Sequence, residues 1–240
     1  MAFTFEICAV NIQSAHAAAE AGAQRIELCS ALDVGGLTPS PGLIFSAIRN
    51  SGTLVNVLIR PREGDFCYND QEFNIMLDDI RFCREAGAHG VVVGALDANG
   101  QLDLHKLEAM RQEAEGIEIV HHRAFDFCAD PELALEQLIQ LGYNRVLSSG
   151  QSNSAFEGRF TLQKLVQQAS GRISVMPGAG IDASNIKEIA ATTGAHEFHF
   201  SGKRKMDPSK GNAIQGLDTW YWQSDSGVIQ RIIGAVQKND

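Results

Sequence analysis

The sequence predicts an α/β protein, a single (β/α)8 barrel of the TIM type spanning residues 1–240. Eight short apolar runs are each followed by a helical segment, at intervals of roughly 25 to 30 residues, which is near the spacing of βαβ repeats. A chain of 240 residues has a usual length for such a barrel. No linker-like stretch divides the chain. A doubly wound open sheet is the alternative, but it usually has fewer units or an inserted domain at this length.

The first half of the chain alternates between strands and helices with clear boundaries. Gly22 follows an alanine-rich helix, Pro41 stands at a first helical position, and Pro61 stops the third strand. The predicted strands are 3–10, 25–29, 53–60 and 89–94, and the predicted helices are 14–22, 41–50, 70–86 and 104–114. The four units follow one another without an insertion.

The second half repeats this pattern and ends in an irregular segment. Asp130 and Pro131 are typical of a helix start, as N-cap and first helical residue. The predicted strands are 117–123, 145–148, 173–176 and 196–200, and the predicted helices are 130–142, 159–169, 184–191 and a terminal helix at 227–236. Segment 202–226, after the eighth strand, is predicted to be irregular, and a lid, an oligomer contact and a flexible insertion are its alternatives.

Composition excludes several classes of function. A net charge of -9 without a long acidic block argues against a nucleic-acid partner. The first residues lack a basic segment followed by a long apolar run, and no apolar stretch reaches membrane-spanning length. We therefore expect a cytoplasmic protein without a membrane partner. Its five widely spaced cysteines, with no C-x-x-C motif, predict reduced thiols rather than disulfides.

Two strands each carry a carboxylate and a thiol two residues apart, Glu6 with Cys8 and Glu27 with Cys29. Side chains two apart on a strand share one face. If the strands are neighbours, about 4.8 Å apart, both thiols can reach one soft ion. Two thiolates suit low-coordinate Cu(I), so Cys8 and Cys29 are the predicted metal ligands. Packing as small apolar side chains is the alternative.

Polar residues also interrupt apolar runs near the ends of other strands, where barrels place their functional groups. Burying an unpaired charge costs roughly several kcal/mol, so we expect these side chains to pair in an interior network. Such networks shift pKa values and often support catalysis. The candidate catalytic residues are Glu27, Arg60, His122 and Asp126.

A glycine-rich turn after the seventh strand predicts an anion site. Gly178 and Gly180 allow backbone N–H groups to approach a phosphate or carboxylate, and Ser201 follows the eighth strand close by. Arg62 and His199 complete the predicted anion-binding set. An ordinary tight turn is the alternative interpretation.

Several motifs, in order along nearly the whole chain, resemble the CutC family. They are Phe5-Glu6-Ile7-Cys8, Arg25-Ile26-Glu27-Leu28-Cys29-Ser30, Gly35-Gly36-Leu37-Thr38-Pro39-Ser40, Ile59-Arg60-Pro61-Arg62, Gly64-Asp65-Phe66, His122-Arg123-Ala124-Phe125-Asp126, Arg145-Val146-Leu147-Ser148-Ser149-Gly150, Val175-Met176-Pro177-Gly178-Ala179-Gly180-Ile181 and Glu197-Phe198-His199. The resemblance implies a cytoplasmic TIM barrel, a homodimer and a role in copper homeostasis. It also implies that the thiols of Cys8 and Cys29 bind Cu(I).

The sequence leaves three functions open, so whether the protein is an enzyme is also open. The first is Cu(I) binding through the two thiols. The second is an isomerase- or aldolase-like enzyme acting on a small anionic metabolite, with proton transfer by Glu27, His122 or Asp126. The third, a non-catalytic interaction protein, rests only on the aromatic run Trp220-Tyr221-Trp222.

Overall fold

Eight parallel strands follow one another around a barrel in the computed structural model, which describes residues 3–207 and 219–237. The predicted (β/α)8 architecture is confirmed. The strands are β1 Thr4–Ala9, β2 Arg25–Leu28, β3 Leu54–Leu58, β4 Gly90–Val93, β5 Glu118–His121, β6 Arg145–Ser148, β7 Ser174–Pro177 and β8 Glu197–Phe200. Each strand pairs with its neighbour along the chain, β8 also pairs with β1, and a bridge between Gly178 and His199 joins β7 to β8.

Eight helices belong to the described part of the chain. They are α1 Ile12–Glu20, α2 Pro41–Asn50, α3 Asp70–Ala86, α4 Leu104–Glu113, α5 Pro131–Gln140, α6 Arg159–Ala169, α7 Ile186–Thr193 and α8 Ser226–Gln237. The predicted N-cap Asp130 accepts a hydrogen bond from the Leu133 N–H, and Asn69 and Glu72 form a capping box at α3. No helix within these residues is both long and apolar enough to cross a membrane.

The segment after β8 is more regular than predicted. It contains β9 Lys203–Met206 and β10 Tyr221–Ser224, which pair as an antiparallel ribbon. The ammonium groups of Lys203 and Lys205 lie 4.2 Å from the ring centres of Trp222 and Trp220, respectively. The sequence did not reveal these strands because each is four residues long and their pairing spans more than a dozen positions. The rest of the segment, 208–218, lies outside the described residues.

The ribbon is anchored beside the open end of the barrel. The indole N–H of Trp222 donates to Asp33 at 2.6 Å, and the Asn11 amide donates to the Trp222 carbonyl oxygen at 3.2 Å. Asp33 belongs to the loop after β2, and Asn11 caps α1. The ribbon therefore connects the loops that follow the first two strands.

The main apolar core lies between the sheet and the helices and includes Phe5, Ile7 and Ile26. A second, small apolar cluster lies in the barrel interior. Its fully or almost fully buried members are Cys8, Cys29, Leu58, Val92 and Val120. Strand alternation explains this division, since residues two apart share a face. Charged and polar side chains, among them Glu6, Arg25 and Asn56, are also buried.

Gly90 on β4 has no room for a side chain, and we therefore predict that a larger residue at this position destabilises the protein. A Cβ atom at this position would lie 2.6 Å from the Asn56 side-chain oxygen and 2.8 Å from the Glu118 carbonyl oxygen. Gly90→Ala should therefore lower the free energy of unfolding by about 1–3 kcal/mol, the usual effect of overpacking. Urea denaturation measures the change. The control is Gly234→Ala in α8, where a Cβ meets nothing within 4 Å and should raise stability by up to about 1 kcal/mol. Equal effects at both positions would contradict the packing argument.

Candidate functional site

Charged side chains from the first residues of several strands form the floor of the barrel. Arg25 is ion-paired with Glu6 and lies 2.5 Å from the Glu197 carboxylate. Glu197 also binds Arg145 at 2.6 Å, and Arg145 continues the chain of ion pairs to Glu118. An interior network of carboxylates and arginines is therefore present, but Arg60 and His122, which the sequence predicts to join it, have other partners described below. The geometry of the network alternates positive and negative groups across the barrel.

Glu6 is the centre of this network. Burial alone would raise its pKa, but the Arg25 guanidinium and His199 lower that pKa to about 2. The Asn56 amide donates to the same carboxylate at 3.1 Å, and His199 Nδ1 lies 2.9 Å from its other oxygen. Glu6 is therefore ionised at neutral pH, and it holds His199 with Nδ1 as the donor.

The two predicted metal ligands lie together above this floor. Cys8 lies on β1 and Cys29 directly follows the neighbouring strand β2, and their sulfur atoms are 3.5 Å apart. Cys29 is fully buried, whereas Cys8 is 7% exposed and reaches the cavity described below. The hydrogen bond with Cys29, together with burial, raises the pKa of the Cys8 thiol well above its usual value. Both residues are free thiols in this structure.

Glu27 on β2 and His199 on β8 also lie close to Cys8. One ligand atom from each of Cys8, Glu27 and His199 lies within 4.8 Å of the other two. Burial raises the pKa of Glu27 to about 7, and its Oε2 atom has no hydrogen-bond partner in the described part of the chain. Burial opposes protonation of His199, but Glu27, Cys8 and Glu6 together raise its pKa well above the usual value. The barrel mouth therefore brings together a thiol, a carboxylate and an imidazole, which are side-chain types able to transfer protons or ligate a metal.

A cavity of about 1010 Å³ opens at the carboxyl ends of the strands. The predicted residues Cys8, Glu27, Arg60, His122, Gly180, His199 and Ser201 line it. Its further lining includes Leu32, Leu58, Phe66, Leu96, Arg123, Phe127, Leu147, Ile181, Phe200 and Lys203. Sequence reasoning missed the apolar part of this wall, because apolar side chains at strand ends carry no signal that separates a cavity from a core.

Arg60 supplies a buried positive charge to the cavity. Its guanidinium donates to the carbonyl oxygens of Val34, Gly36 and Gly64 at 2.8, 3.0 and 2.9 Å. No carboxylate of the described residues lies within 4 Å of it, although it is only 5% exposed. Gly36 permits this loop, since its φ is 90° and a Cβ would lie 2.7 Å from Leu58. The charge of Arg60 is therefore solvated by backbone dipoles rather than neutralised.

His122 is a neutral imidazole beside Arg60. Its Nδ1 accepts a hydrogen bond from the Ala124 N–H at 3.1 Å, which places the ring proton on Nε2. Burial lowers the pKa of His122 well below its usual value, and the charge of Arg60 adds to this effect. Nε2 has no partner in the described residues, and the Phe66 ring lies 5.0 Å away. His122 therefore provides an uncommitted N–H donor.

Asp126 and Arg62 lie outside the cavity lining. Asp126 accepts from the Ser148 hydroxyl at 2.6 Å, from the Ser149 N–H and hydroxyl, and from Arg123 at 2.8 Å. These bonds hold the loop after β6. Arg62 binds Glu72 at 2.5 Å and Asp65 at 3.0 Å near the start of α3. Asp126 and Arg62 therefore use their charges in hydrogen bonds and ion pairs with nearby residues, and the sequence alone does not reveal these partners.

Gly178 has a packing role that differs from the predicted anion contact. Its N–H donates to the Ser148 carbonyl oxygen at 2.9 Å, and a Cβ would lie 2.5 Å from the Leu147 side chain. Gly180 and Ser201 do line the cavity. Ala179 and Gly180 both have positive φ, of 80° and 67°, so the turn after β7 is tightly curled at the rim.

Comparison with known proteins places this architecture in a family. A sequence model of the CutC family matches residues 3–204. The family protein CutC of Pasteurella multocida is 47% identical over 240 residues, covering 97% of this chain and 98% of that protein. The family protein CutC of Vibrio cholerae serotype O1 is 49% identical over 205 residues, covering 85% and 81%.

Solved structures include a relative from the same family and more distant barrels. A CutC structure from Streptococcus agalactiae, which carries the provisional name copper homeostasis protein, has a TM-score of 0.79 and 36% identity, covering 83% of this chain and 98% of that one. Thiamine phosphate pyrophosphorylase from Pyrococcus furiosus has a TM-score of 0.61 at 15% identity, and it shares the barrel fold alone.

The environment of Glu27 generates a prediction about stability and pH. Its pKa of about 7 lies above the ordinary value of 4.5, so the folded protein retains this proton more strongly than the unfolded chain. The contribution of Glu27 to the free energy of unfolding therefore decreases as the pH rises from 4.5 to about 7. Glu27→Gln removes the effect, so its stability relative to the wild type should increase by on the order of 3 kcal/mol between about pH 5 and about pH 8.

Urea denaturation of both proteins at the two pH values, with a chelator present, measures this difference. The exposed Glu115→Gln variant is the matched control. A Glu27→Gln difference that is independent of pH would contradict the buried, protonated state of Glu27.

Proposed function

Because the chain belongs to the CutC family, we propose that it binds Cu(I) as cargo through Cys8 and Cys29. The observation that carries this proposal is the 3.5 Å separation of the Cys8 and Cys29 sulfur atoms. Thiolates are soft ligands that favour Cu(I) over hard cations. The provisional name of the Streptococcus agalactiae relative is consistent with a copper ligand.

The surroundings of the two thiols fit a soft, low-coordinate ion. Leu58, Val92 and Val120 pack around them and limit the access of water. The raised pKa of Cys8 means that the ion must displace a thiol proton. Binding therefore releases protons, and the affinity for Cu(I) increases with pH. We place this function in the cytoplasm, where thiols stay reduced, and in a homodimer, as the family resemblance implies.

A second candidate function is enzymatic, and the uncompensated charge of Arg60 favours it. A cavity of about 1010 Å³ exceeds the needs of one copper ion and suits an organic metabolite. Arg60 and the neutral N–H donor of His122 attract an anionic group, and Phe66 and Phe127 offer apolar contact. Glu27, with a pKa of about 7, is the group suited to proton transfer at neutral pH. This arrangement supports an isomerase- or aldolase-like reaction on a small anionic metabolite.

Competitive Cu(I) titration of the reduced protein tests the first function. The wild type should bind one ion per chain. The Cys8→Ser/Cys29→Ser double variant should bind at least ~100-fold more weakly, because losing thiolate ligands removes more than the ~10–100-fold effect of an outer-shell partner. Cys67→Ser, which changes an exposed thiol on the cavity rim, is the matched control. Equal affinity in the double variant would eliminate the two-thiol site.

Thermal stabilisation by a panel of phosphorylated and carboxylated metabolites tests the second function. A ligand at 100 times its Kd should stabilise the wild type by about 2.7 kcal/mol. Arg60→Met should lose this stabilisation, because it removes the buried cation. Arg62→Met should retain it, because that arginine lies outside the cavity and is paired with Glu72 and Asp65. Loss of the ligand response in both variants, or in neither, would contradict the role of Arg60.

A further inference from the structure

Three neighbouring strands bring a thiol, a carboxylate and an imidazole together at the inner end of the cavity. Cys8 is on β1, Glu27 is on β2 and His199 is on β8, and β1 lies between the other two strands. One ligand atom of each lies within 4.8 Å of the others, and all three residues are buried. We propose that Cys8, Glu27 and His199 form a site for a divalent cation of the zinc type.

The donor set distinguishes this site from the two-thiol copper site. Sulfur, nitrogen and carboxylate oxygen are the three ligand types that zinc accepts in proteins, whereas Cu(I) favours sulfur. Cys29 is not part of the cluster, although its sulfur lies 3.5 Å from that of Cys8. The two sites share Cys8, and their other ligands on the β2 side, Glu27 and Cys29, lie two residues apart along the chain. The divalent site therefore requires Glu27 and His199, and the copper site requires Cys29.

His199 is already oriented as a metal ligand. Its Nδ1 is bonded to the Glu6 carboxylate at 2.9 Å, so Nε2 is the nitrogen that an ion would take, in exchange for its proton. A carboxylate that holds the second nitrogen of a ligating histidine is the usual outer partner in zinc sites. Glu6 is itself held by Arg25 and by the Asn56 amide. The orientation of His199 thus depends on the floor of the barrel rather than on a mobile side chain.

An unsatisfied atom provides an independent indication of a ligand. Glu27 is 6% exposed, and its Oε2 has no hydrogen-bond partner in the described residues. A buried carboxylate oxygen without a partner is unfavourable unless something positive contacts it. A cation among Cys8, Glu27 and His199 supplies that contact. The same atom is too enclosed to bind a large organic group directly, which favours a single ion.

The position of the site suggests what the ion does. Three protein ligands with an open cavity on the fourth side are typical of catalytic rather than structural zinc. Such an ion can polarise a carbonyl or hold an oxygen of the anionic metabolite proposed above. Glu27 is then a ligand rather than a proton carrier. The site thereby extends the enzymatic candidate, but its existence depends on neither of the two proposed functions.

Titration of the reduced, chelator-treated full-length protein with Co²⁺ tests this site. The wild type should bind one Co²⁺ per chain, with a thiolate-to-cobalt charge-transfer band and the intense visible bands of a low-coordinate ion. Added Zn²⁺ should abolish these bands by competition. Cys8→Ser should lose the thiolate band, and Glu27→Gln and His199→Asn should each weaken binding at least ~10-fold. Cys29→Ser should keep the Co²⁺ spectrum while losing Cu(I) binding.

Circular dichroism of each metal-free variant separates loss of a ligand from loss of folding. A wild type without a thiolate band overturns the proposal even if every variant fails to fold. A Co²⁺ spectrum that disappears in Cys29→Ser but persists in Glu27→Gln and His199→Asn would also overturn it and would assign the ion to the thiol pair. Because Cu(I) is titrated separately, failure of the divalent site is distinguishable from failure of the copper proposal.

Discussion

The charge of Glu6, buried at the centre of the barrel, is the constraint on which the rest of the site depends. A buried carboxylate must be paired, and Glu6 binds Arg25, Asn56 and His199 at once. Arg25 in turn binds Glu197. Barrels of this type usually fill their interior with branched apolar side chains. Here an ion network takes part of that position, and removing Arg25 would leave the buried charge of Glu6 without its guanidinium partner.

The network also determines which groups reach the cavity. His199 faces Cys8 and Glu27 because its other nitrogen is bonded to Glu6. Cys8 lies one step closer to the mouth than Glu6 on the same face of β1, as strand alternation requires. The floor thus positions His199 beside Cys8 and Glu27, while the loop that contains Gly36 holds Arg60 through its backbone carbonyl oxygens.

The cavity borders both a pair of thiols and a pair of anion-attracting side chains, and the two pairs need not serve one function. The thiols lie in an apolar pocket suited to a soft ion, and Cys8 forms its boundary with the open volume. Arg60 and His122 lie where an organic anion would be held, and they contribute nothing to a two-thiol site. Cys8 belongs both to the thiol pair and to the cavity lining. The assignment of its ligand therefore decides how the rest of the cavity is interpreted.

The sequence by itself determined the eight units and the shared faces of Glu6 with Cys8 and of Glu27 with Cys29, because local propensity and a period of two depend only on chain order. It also predicted that the buried polar groups pair with one another, which is found for Glu6 and His199 but not for Arg60 or His122. Only the tertiary structure decided that the Asp126 carboxylate accepts hydrogen bonds from Ser148 and Ser149 at the end of β6, since these residues approach it only in the folded chain. The ion pairs of Arg145 and the cavity volume likewise arise from barrel closure, which brings together strands distant in sequence.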